Sequence, residues 1–452
     1  DLFGTADKLV LNILVLGVAL LLGAAIGLLG RRSITAARIA FTAVGAVALL
    51  AALRDPLVDP LLALVSVALA SGTAAVMLPW LLARIPEPRS TVAEMPNWGR
   101  RRFLGSALGV AAAAAASGAV GRLLLDRRAA QAASLPPVPE PGATAAPIPS
   151  GAELNVEGIS PLVTPTADFY RIDTALLVPH VDVSGWTVSV TGMVDRPFSI
   201  GYQELLAMPL VEQYVTIACV SNEVGGGLVG NALWRGVRLR DLLDRAGVRA
   251  GATQVVGRSV DGWTAGFPTA WLDEADREAL VAVAMNGKAL PPEHGFPARL
   301  IVPGLYGYVS ATKWLKEINL TTLEAFDAYW VPLGWAKEAP ILTQSRIDVP
   351  RDGAGADAGQ VAVAGVAWAP DRGIRAVELQ VDGGPWQPAE IGAAISDATW
   401  VQWLFRWDAT PGQHRLSVRA TDGTGEVQTD RVTEPAPDGA RGHHTITVDV
   451  RG

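Results

Sequence analysis

Apolar and polar positions are spread so unevenly that the chain divides into distinct textures. Residues 9–29 (LVLNILVLGVALLLGAAIGLL) carry no charged side chain, and about 20 such residues cross a bilayer as one helix. Residues 39–53 continue the pattern and become a span if their helix starts near Ser33. Residues 57–82 predict a third, with Asp59 near one end and Pro79 near the other. A fourth, weaker span over 103–125 is Ala-rich and interrupted by Arg122. Four such segments in succession argue for membrane helices rather than core helices of a soluble domain.

The pattern then changes twice. Residues 134–150 (SLPPVPEPGATAAPIPS) hold six prolines, which exclude a helix or sheet interior and favour an extended spacer. A linker over 126–157 therefore separates the apolar half from a region of mixed texture. From 158 to 338 short strands alternate with short helices. Trp186–Met193, Val211–Cys219, Gln254–Val260, Ala279–Met285, Arg299–Val302 and Trp314–Leu320 read as strands. Tyr202–Met208 and Leu239–Ala246 read as helices, the second stopped by Gly247. Asn286-Gly287 is a hairpin signal. No regular βαβ repeat and no glycine fingerprint follows a strand, so a Rossmann nucleotide site is not expected. From 339 to 452 the strands Gln360–Trp368, Ile374–Val381, Trp400–Asp408, His414–Ala420 and Thr445–Val450, with turns between, predict an all-β sandwich.

Charge sharpens this division. The chain of 452 residues is 50% hydrophobic and 18% charged, too apolar for an ordinary soluble protein. Its net charge of −7 is the sum of +5 over residues 1–125 and −12 over the remainder. Arg31, Arg32 and Arg38 in the first loop and Arg84, Arg89 and Arg100–Arg102 in the third place those loops in the cytoplasm. The N-terminus and everything after residue 125 then lie outside. Arg100-Arg101-Arg102-Phe103-Leu104 has the form of a twin-arginine export signal, the route of proteins exported folded. Ala130-Gln131-Ala132 has the form of a cleavage site, although uncleaved anchoring suits a chain with three earlier spans. The chain begins with Asp1 rather than Met, which leaves room for further spans before it. An acidic exported half argues against nucleic acid as a partner. The apolar half contains no histidine, so it offers no imidazole pair for haem.

A single cysteine, Cys219, rules out an intrachain disulfide or a Cys-built zinc or iron–sulfur site. It ends a strand and is followed by Val220-Ser221-Asn222-Glu223-Val224-Gly225-Gly226-Gly227, where missing side chains let a large group approach the sulfur. Downstream come Met285-Asn286-Gly287, Leu290-Pro291-Pro292, His294-Gly295-Phe296-Pro297, Arg299 and Lys313-Trp314, with Asn231-Ala232-Leu233-Trp234-Arg235-Gly236-Val237 upstream of them. Together these motifs resemble the sulfite oxidase family of molybdenum enzymes over about residues 165–325.

The resemblance implies an α+β sulfite-oxidase-type catalytic domain and a C-terminal Ig-like sandwich of the kind the family uses for homodimerisation. It also implies a molybdenum–molybdopterin cofactor, with Cys219 as the one protein thiolate on a metal whose other sulfurs come from the pterin. The pterin phosphate calls for fixed donors, expected from His294, Arg299 and Lys313, helped by groups around Asn222 and Ser310. Tyr329 falls where the family places a pocket tyrosine. Two departures bear on substrate. Sulfite oxidases follow the cysteine with a basic pair, where this chain has Glu223 and Val224. Their Arg-Asn-His segment is replaced by Phe169-Tyr170-Arg171-Ile172-Asp173-Thr174, with Arg171 as the loose counterpart of the arginine. Fewer cations weaken the binding of a dianion, which leans towards a neutral small molecule. The expectation is a membrane-anchored oxidoreductase that transfers an oxygen atom to or from an S-oxide or sulfite-like substrate. It would pass electrons to a separate carrier or a membrane redox partner. The alternative is a cofactor-free surface interaction protein that keeps the fold.

Overall fold

The computed structural model describes residues 7–54, 58, 60–83, scattered positions between 105 and 116, and 137–452 except 176 and 274–277. The chain separates into two compact units, Asp1–Ser134 and Leu135–Gly452.

Among the described residues of the first unit, three helices are long and apolar enough to cross a membrane: α1 (Asp7–Arg32), α2 (Ile34–Ala52) and α3 (Pro60–Leu82). Leu14, Leu20, Ile39, Val47, Leu61 and Leu69 are all exposed, the pattern expected of helices able to cross a membrane. Ser33 caps α2 by accepting from the Ala36 N–H at 3.2 Å, satisfying one of the free donors at a helix start. Gly45 of α2 lies against Ser71 of α3, so the absent side chain lets the two helices approach. The expected fourth span, the arginine run at 100–102 and Ala130–Ala132 lie outside the described residues, apart from the scattered helical positions.

The second unit begins with extended backbone over the Pro-rich stretch, which is docked on the domain. Gly142 N–H donates to Leu210 O at 2.8 Å and Glu212 N–H to Ala143 O at 2.9 Å. Two sheets follow. One runs in the order β2 (Phe198–Gly201), β1 (Thr187–Gly192), β10 (Leu315–Thr321), β5 (Gln254–Ser259) and β6 (Thr264–Pro268). The other runs β3 (Leu210–Ala218), β4 (Val229–Arg238), β7 (Leu280–Met285) and β8 (Lys288–Ala289), with β9 (Arg299–Ile301) also on β7. Every residue of β7 is buried, as its continuous apolar run requires, whereas β1 alternates buried and accessible positions. The helix α4 (Tyr202–Leu206) stops two residues short of its expected end. The helix α5 (Leu239–Ala246) has the expected bounds, and Gly247 ends it at φ 70°.

Residues 344–451 form two further sheets around one apolar core that includes Val363, Ala367, Trp403, Leu416, Val418 and Ile446. The first contains β11 (Gln344–Val349), β13 (Gly359–Trp368), β17 (Val401–Ala409) and β16 (Glu390–Ile391). The second contains β12 (Ala354–Asp357), β19 (His444–Arg451), β18 (Gly412–Asp422), β14 (Ile374–Val381) and β15 (Gln387–Pro388).

The strand β3 lies at the edge of its sheet, and an uncovered edge leaves N–H and C=O groups unpaired. The Pro-rich stretch covers its start. At its end Thr216 N–H donates to Ala398 O at 2.9 Å, and Thr216 Oγ1 accepts from the Trp400 N–H at 2.8 Å. Trp400 also donates its indole N–H to Leu162 O at 2.7 Å. The strand that carries the chain's only cysteine at its exit is thus clamped by the C-terminal sheets.

Candidate active site

Cys219 follows β3 directly. The β3–β4 register pairs Ala218 with Val229, and Cys219 N–H donates to Leu228 O at 2.9 Å, so residues 219–228 form a closed loop. Asn222 organises it from within, its Oδ1 accepting from the Leu228 N–H at 2.7 Å. The C-terminal sheets hold it from outside. Arg346 donates to Gly226 O at 2.7 Å, and Gly225, at φ 78°, seats against the His444 imidazole. Only glycine fits there on both counts.

His294 ends a short 3₁₀ turn (Pro292–His294) after two prolines, and Gly295 turns the chain at φ 111°. A side chain on Gly295 would press on Lys313. That tight return brings His294, Arg299 and Lys313 together. With Cys219 they line one cleft of about 930 Å³, open solvent included. The wall also includes the aromatic Phe169, Tyr170, Trp263, Trp330 and Trp335 and the acidic Asp173. Tyr329 is 45% exposed and lies off the wall, while its neighbour Trp330 is on it. Asn222 and Ser310 are likewise off the wall. Ser310 Oγ turns inward to Tyr306 O at 3.0 Å, whereas Ser221 and Tyr308 face the cleft. Arg171 is off the wall too, bonded to Asp173.

The charges in this cleft are unusual. Arg299 is 4% exposed, and its Nε has no hydrogen-bond partner. One terminal nitrogen donates to His294 O at 3.1 Å, and the guanidinium lies 5.1 Å from the Trp234 ring. Burial brings its pKa down to about 10. Lys313 is brought down to about 8 by burial, against the opposing pull of Asp173. Asp173 Oδ2 accepts from both Lys313 Nζ and Arg171 Nε at 2.9 Å. Lys313 also donates to Glu293 O at 3.1 Å. His294 is brought down to about 4 by burial and then by Arg299, so it is neutral at pH 7. Its Nε2 lies 3.1 Å from Thr166 O. A carbonyl only accepts, so Nε2 carries the proton and Nδ1 is an acceptor. Burial raises the Cys219 thiol, while the Ser221 N–H and hydroxyl and the Lys313 charge favour the thiolate. Burial also raises the Tyr170 phenol well above its usual range, with Cys219 adding to the effect, so Tyr170 stays protonated.

Residues 175–330 match the model of the oxidoreductase molybdopterin binding domain. The uncharacterized oxidoreductase YuiH of Bacillus subtilis (strain 168) is 36% identical over 171 residues, 38% of this chain and 82% of that protein. The chain belongs to the sulfite oxidase family of molybdopterin oxidoreductases. Mitochondrial sulfite oxidase of Mus musculus is 30% identical over 329 residues, 62% of this chain. The chain spans 59% of that relative's length. The sulfane dehydrogenase SoxCD of Paracoccus pantotrophus has the same fold, with a TM-score of 0.55 at 22% identity over 66% of this chain and 85% of that one.

The residues present fit the family's cofactor. A buried guanidinium with an orphaned Nε needs an anionic acceptor, because leaving a buried donor unpaired costs about 1–3 kcal/mol. Among the described residues no three His, Cys, Asp or Glu side chains converge as a metal site. A metal beside Cys219 would therefore need ligands from outside the protein, a place that a pterin dithiolene would fill. Tyr170, found only in the folded chain, had a legible signal: it sits in the segment replacing the Arg-Asn-His of sulfite oxidases.

Proposed function

We propose that the chain is a membrane-anchored, extracytoplasmic molybdopterin oxidoreductase that transfers an oxygen atom to or from a small neutral S-oxide-type substrate. The observation that carries this reading is Arg299, a buried cation with an unpaired donor, in one cleft with the lone Cys219 sulfur. When bound, the molybdenum–pterin group supplies two-electron oxygen-atom transfer. The residues supply the rest. Cys219 gives the single protein thiolate, aided by Ser221 and Lys313. Arg299 holds the phosphate end of the pterin; His294, whose one N–H is spent on Thr166 O, is not the phosphate donor the sequence suggested and offers only Nδ1 as an acceptor for an N–H of the pterin. The Tyr170 phenol, protonated throughout the physiological range, donates towards the reacting oxygen. Trp263, Trp330 and Trp335 exclude water from an approaching substrate and offer rings to a soft sulfur.

The substrate preference rests on Glu223 and Val224, which stand where sulfite oxidases carry a basic pair. The three apolar helices and the arginine pattern support multi-pass anchoring with the second unit outside. The two C-terminal sheets are read as an Ig-like sandwich that serves a homodimer. Electrons pass to a separate carrier or a membrane partner.

The test is to purify the full chain and measure molybdenum and pterin. It is then assayed with redox dyes against sulfoxides, sulfite and N-oxides. One molybdenum per chain and turnover of a sulfoxide are expected. Protein without stoichiometric molybdenum and pterin would favour a cofactor-free interaction protein instead.

A further inference from the structure

We propose that Asp173 is a specificity-determining residue: by drawing Arg171 and Lys313 onto one carboxylate oxygen, it keeps oxyanions out of the cleft. The inference rests on the oxidoreductase reading of this cleft and deepens it, by assigning the exclusion of oxyanions to one side chain.

Two cations, Arg299 and Lys313, line the cleft, and a cleft so lined ought to attract a dianion. Lys313 is turned away from that task, together with Arg171, which lies off the lining. Arg171 Nε and Lys313 Nζ both donate to Asp173 Oδ2 at 2.9 Å, and the Asp173 side chain is 4% exposed. The remaining reach of Lys313 is taken up in part by Glu293 O. Arg299 lies deeper and carries the orphaned Nε that the cofactor phosphate suits.

A sulfite or sulfate ion approaching Lys313 would therefore meet a shielded ammonium. It would also come within a few ångströms of a buried carboxylate. At such separations the repulsion between like charges offsets what a half-engaged lysine returns. A neutral sulfoxide meets no such barrier. Its oxygen can accept from Tyr170 while its organic groups lie against the Trp263, Trp330 and Trp335 wall. A tether for residues 169–174 would be served equally by these bonds, but a tether predicts no selective effect on anions.

Sulfate is the probe, with the cofactor-loaded full chain in detergent and equilibrium dialysis as the readout. The parent should bind sulfate more weakly than about 1 mM. Asp173→Asn and Asp173→Ser should bind it at least about tenfold more tightly, with an affinity that falls as salt rises. Asp173→Glu should restore the weak binding of the parent. In the Asn variant sulfate should become a competitive inhibitor of sulfoxide turnover, which it is not in the parent. If the single variants do not fold, the double variant Asp173→Asn with Arg171→Gln removes the ion pair as a unit and should still free Lys313 for sulfate.

Sub-millimolar sulfate binding by the parent overturns the proposal whatever the variants do. So does an unchanged sulfate affinity in the variants. Turnover of sulfite with none of any sulfoxide would instead overturn the substrate reading, and the dialysis would still decide the role of Asp173.

Discussion

Arg299→Met is the most informative single perturbation, because the structure assigns this side chain a cost without the cofactor and a purpose with it. Burial lowers the guanidinium from 12.5 to about 10. At about 1.4 kcal/mol per tenfold, keeping it charged costs the fold about 3 kcal/mol. The sign is that of a base with a depressed pKa: the cost is fully present below about pH 10 and fades towards 12.5. Against it stand the hydrogen bond to His294 O and the contact with Trp234, together about 2–3 kcal/mol. The opposing effects nearly cancel.

The cofactor-free variant should therefore melt within about 2 °C of the parent. Breaking a compensated buried ion pair would instead cost about 3–5 kcal/mol. In the presence of cofactor the two proteins should part. A charge-assisted contact to phosphate is worth enough for the variant to retain less than about a tenth of the parent's molybdenum and pterin. Thermal melts of protein made with and without pterin synthesis, with metal analysis alongside, read both quantities. A cofactor-free variant that melts more than about 5 °C lower would refute the claim that the cost of burying Arg299 and its contacts nearly cancel. A variant with full pterin content would refute the assignment of its partner.

The same geometry sets other expectations. Cys219→Ser should abolish turnover while leaving the circular-dichroism spectrum intact, and full turnover would remove Cys219 from the ligand set. Tyr170→Phe should lower kcat by about tenfold with little change in KM, since it removes one hydrogen bond made at the reacting oxygen; an unchanged kcat argues against that contact. His294 has a folded pKa of about 4 against 6.5 for a free imidazole. The unfolded chain thus takes up the proton first, and stability should fall as pH drops from 6.5 towards 4, by up to about 3 kcal/mol. Denaturation of His294→Gln and parent at pH 7 and at about pH 4.5 should show this part of the dependence missing in the variant.

The strands were legible wherever alternation or a continuous apolar run had room to declare itself. Ile374–Val381 and Leu239–Ala246 have the expected bounds, and Gln254–Val260 and Ala279–Met285 differ from the observed strands by one terminal residue. The strand Val229–Arg238 carries a glycine near its start and another near its end, and mixes buried Asn231 and Arg235 with Trp234, so no period marked it. Cys219, His294, Arg299 and Lys313 were legible because each sits in a motif whose turns bring it to the cleft. Asp173 and the tryptophans were not, since nothing local separates a cleft-lining Trp263 from a core Trp234. Tyr329 rests on position in the motif alone; the fold leaves it largely exposed and brings Tyr170 beside Cys219 instead.

The C-terminal sheets bear directly on the loop that follows Cys219. Arg346 fixes Gly226 O while pairing with Asp348 at 2.6 Å and bonding Ser160 Oγ at 2.8 Å. His444 accepts from the Ile347 N–H at 2.9 Å and packs on Gly225. The loop that follows Cys219 is thereby held from the C-terminal sheets, through groups far from the sulfur in sequence. Gly225→Ala tests that arrangement directly. The new methyl would press on the His444 ring in a backbone conformation that disfavours any side chain, a strain of about 2 kcal/mol or more. The loop is closed at both ends, so it yields most readily by moving away from His444. The expected result is weaker retention of molybdenum with the sandwich still folded. Pairing the change with His444→Ala should restore part of that retention, because the collision is removed while the strain of the φ remains. Full retention in Gly225→Ala alone would mean that the sandwich bears on β3 and leaves the cysteine loop free.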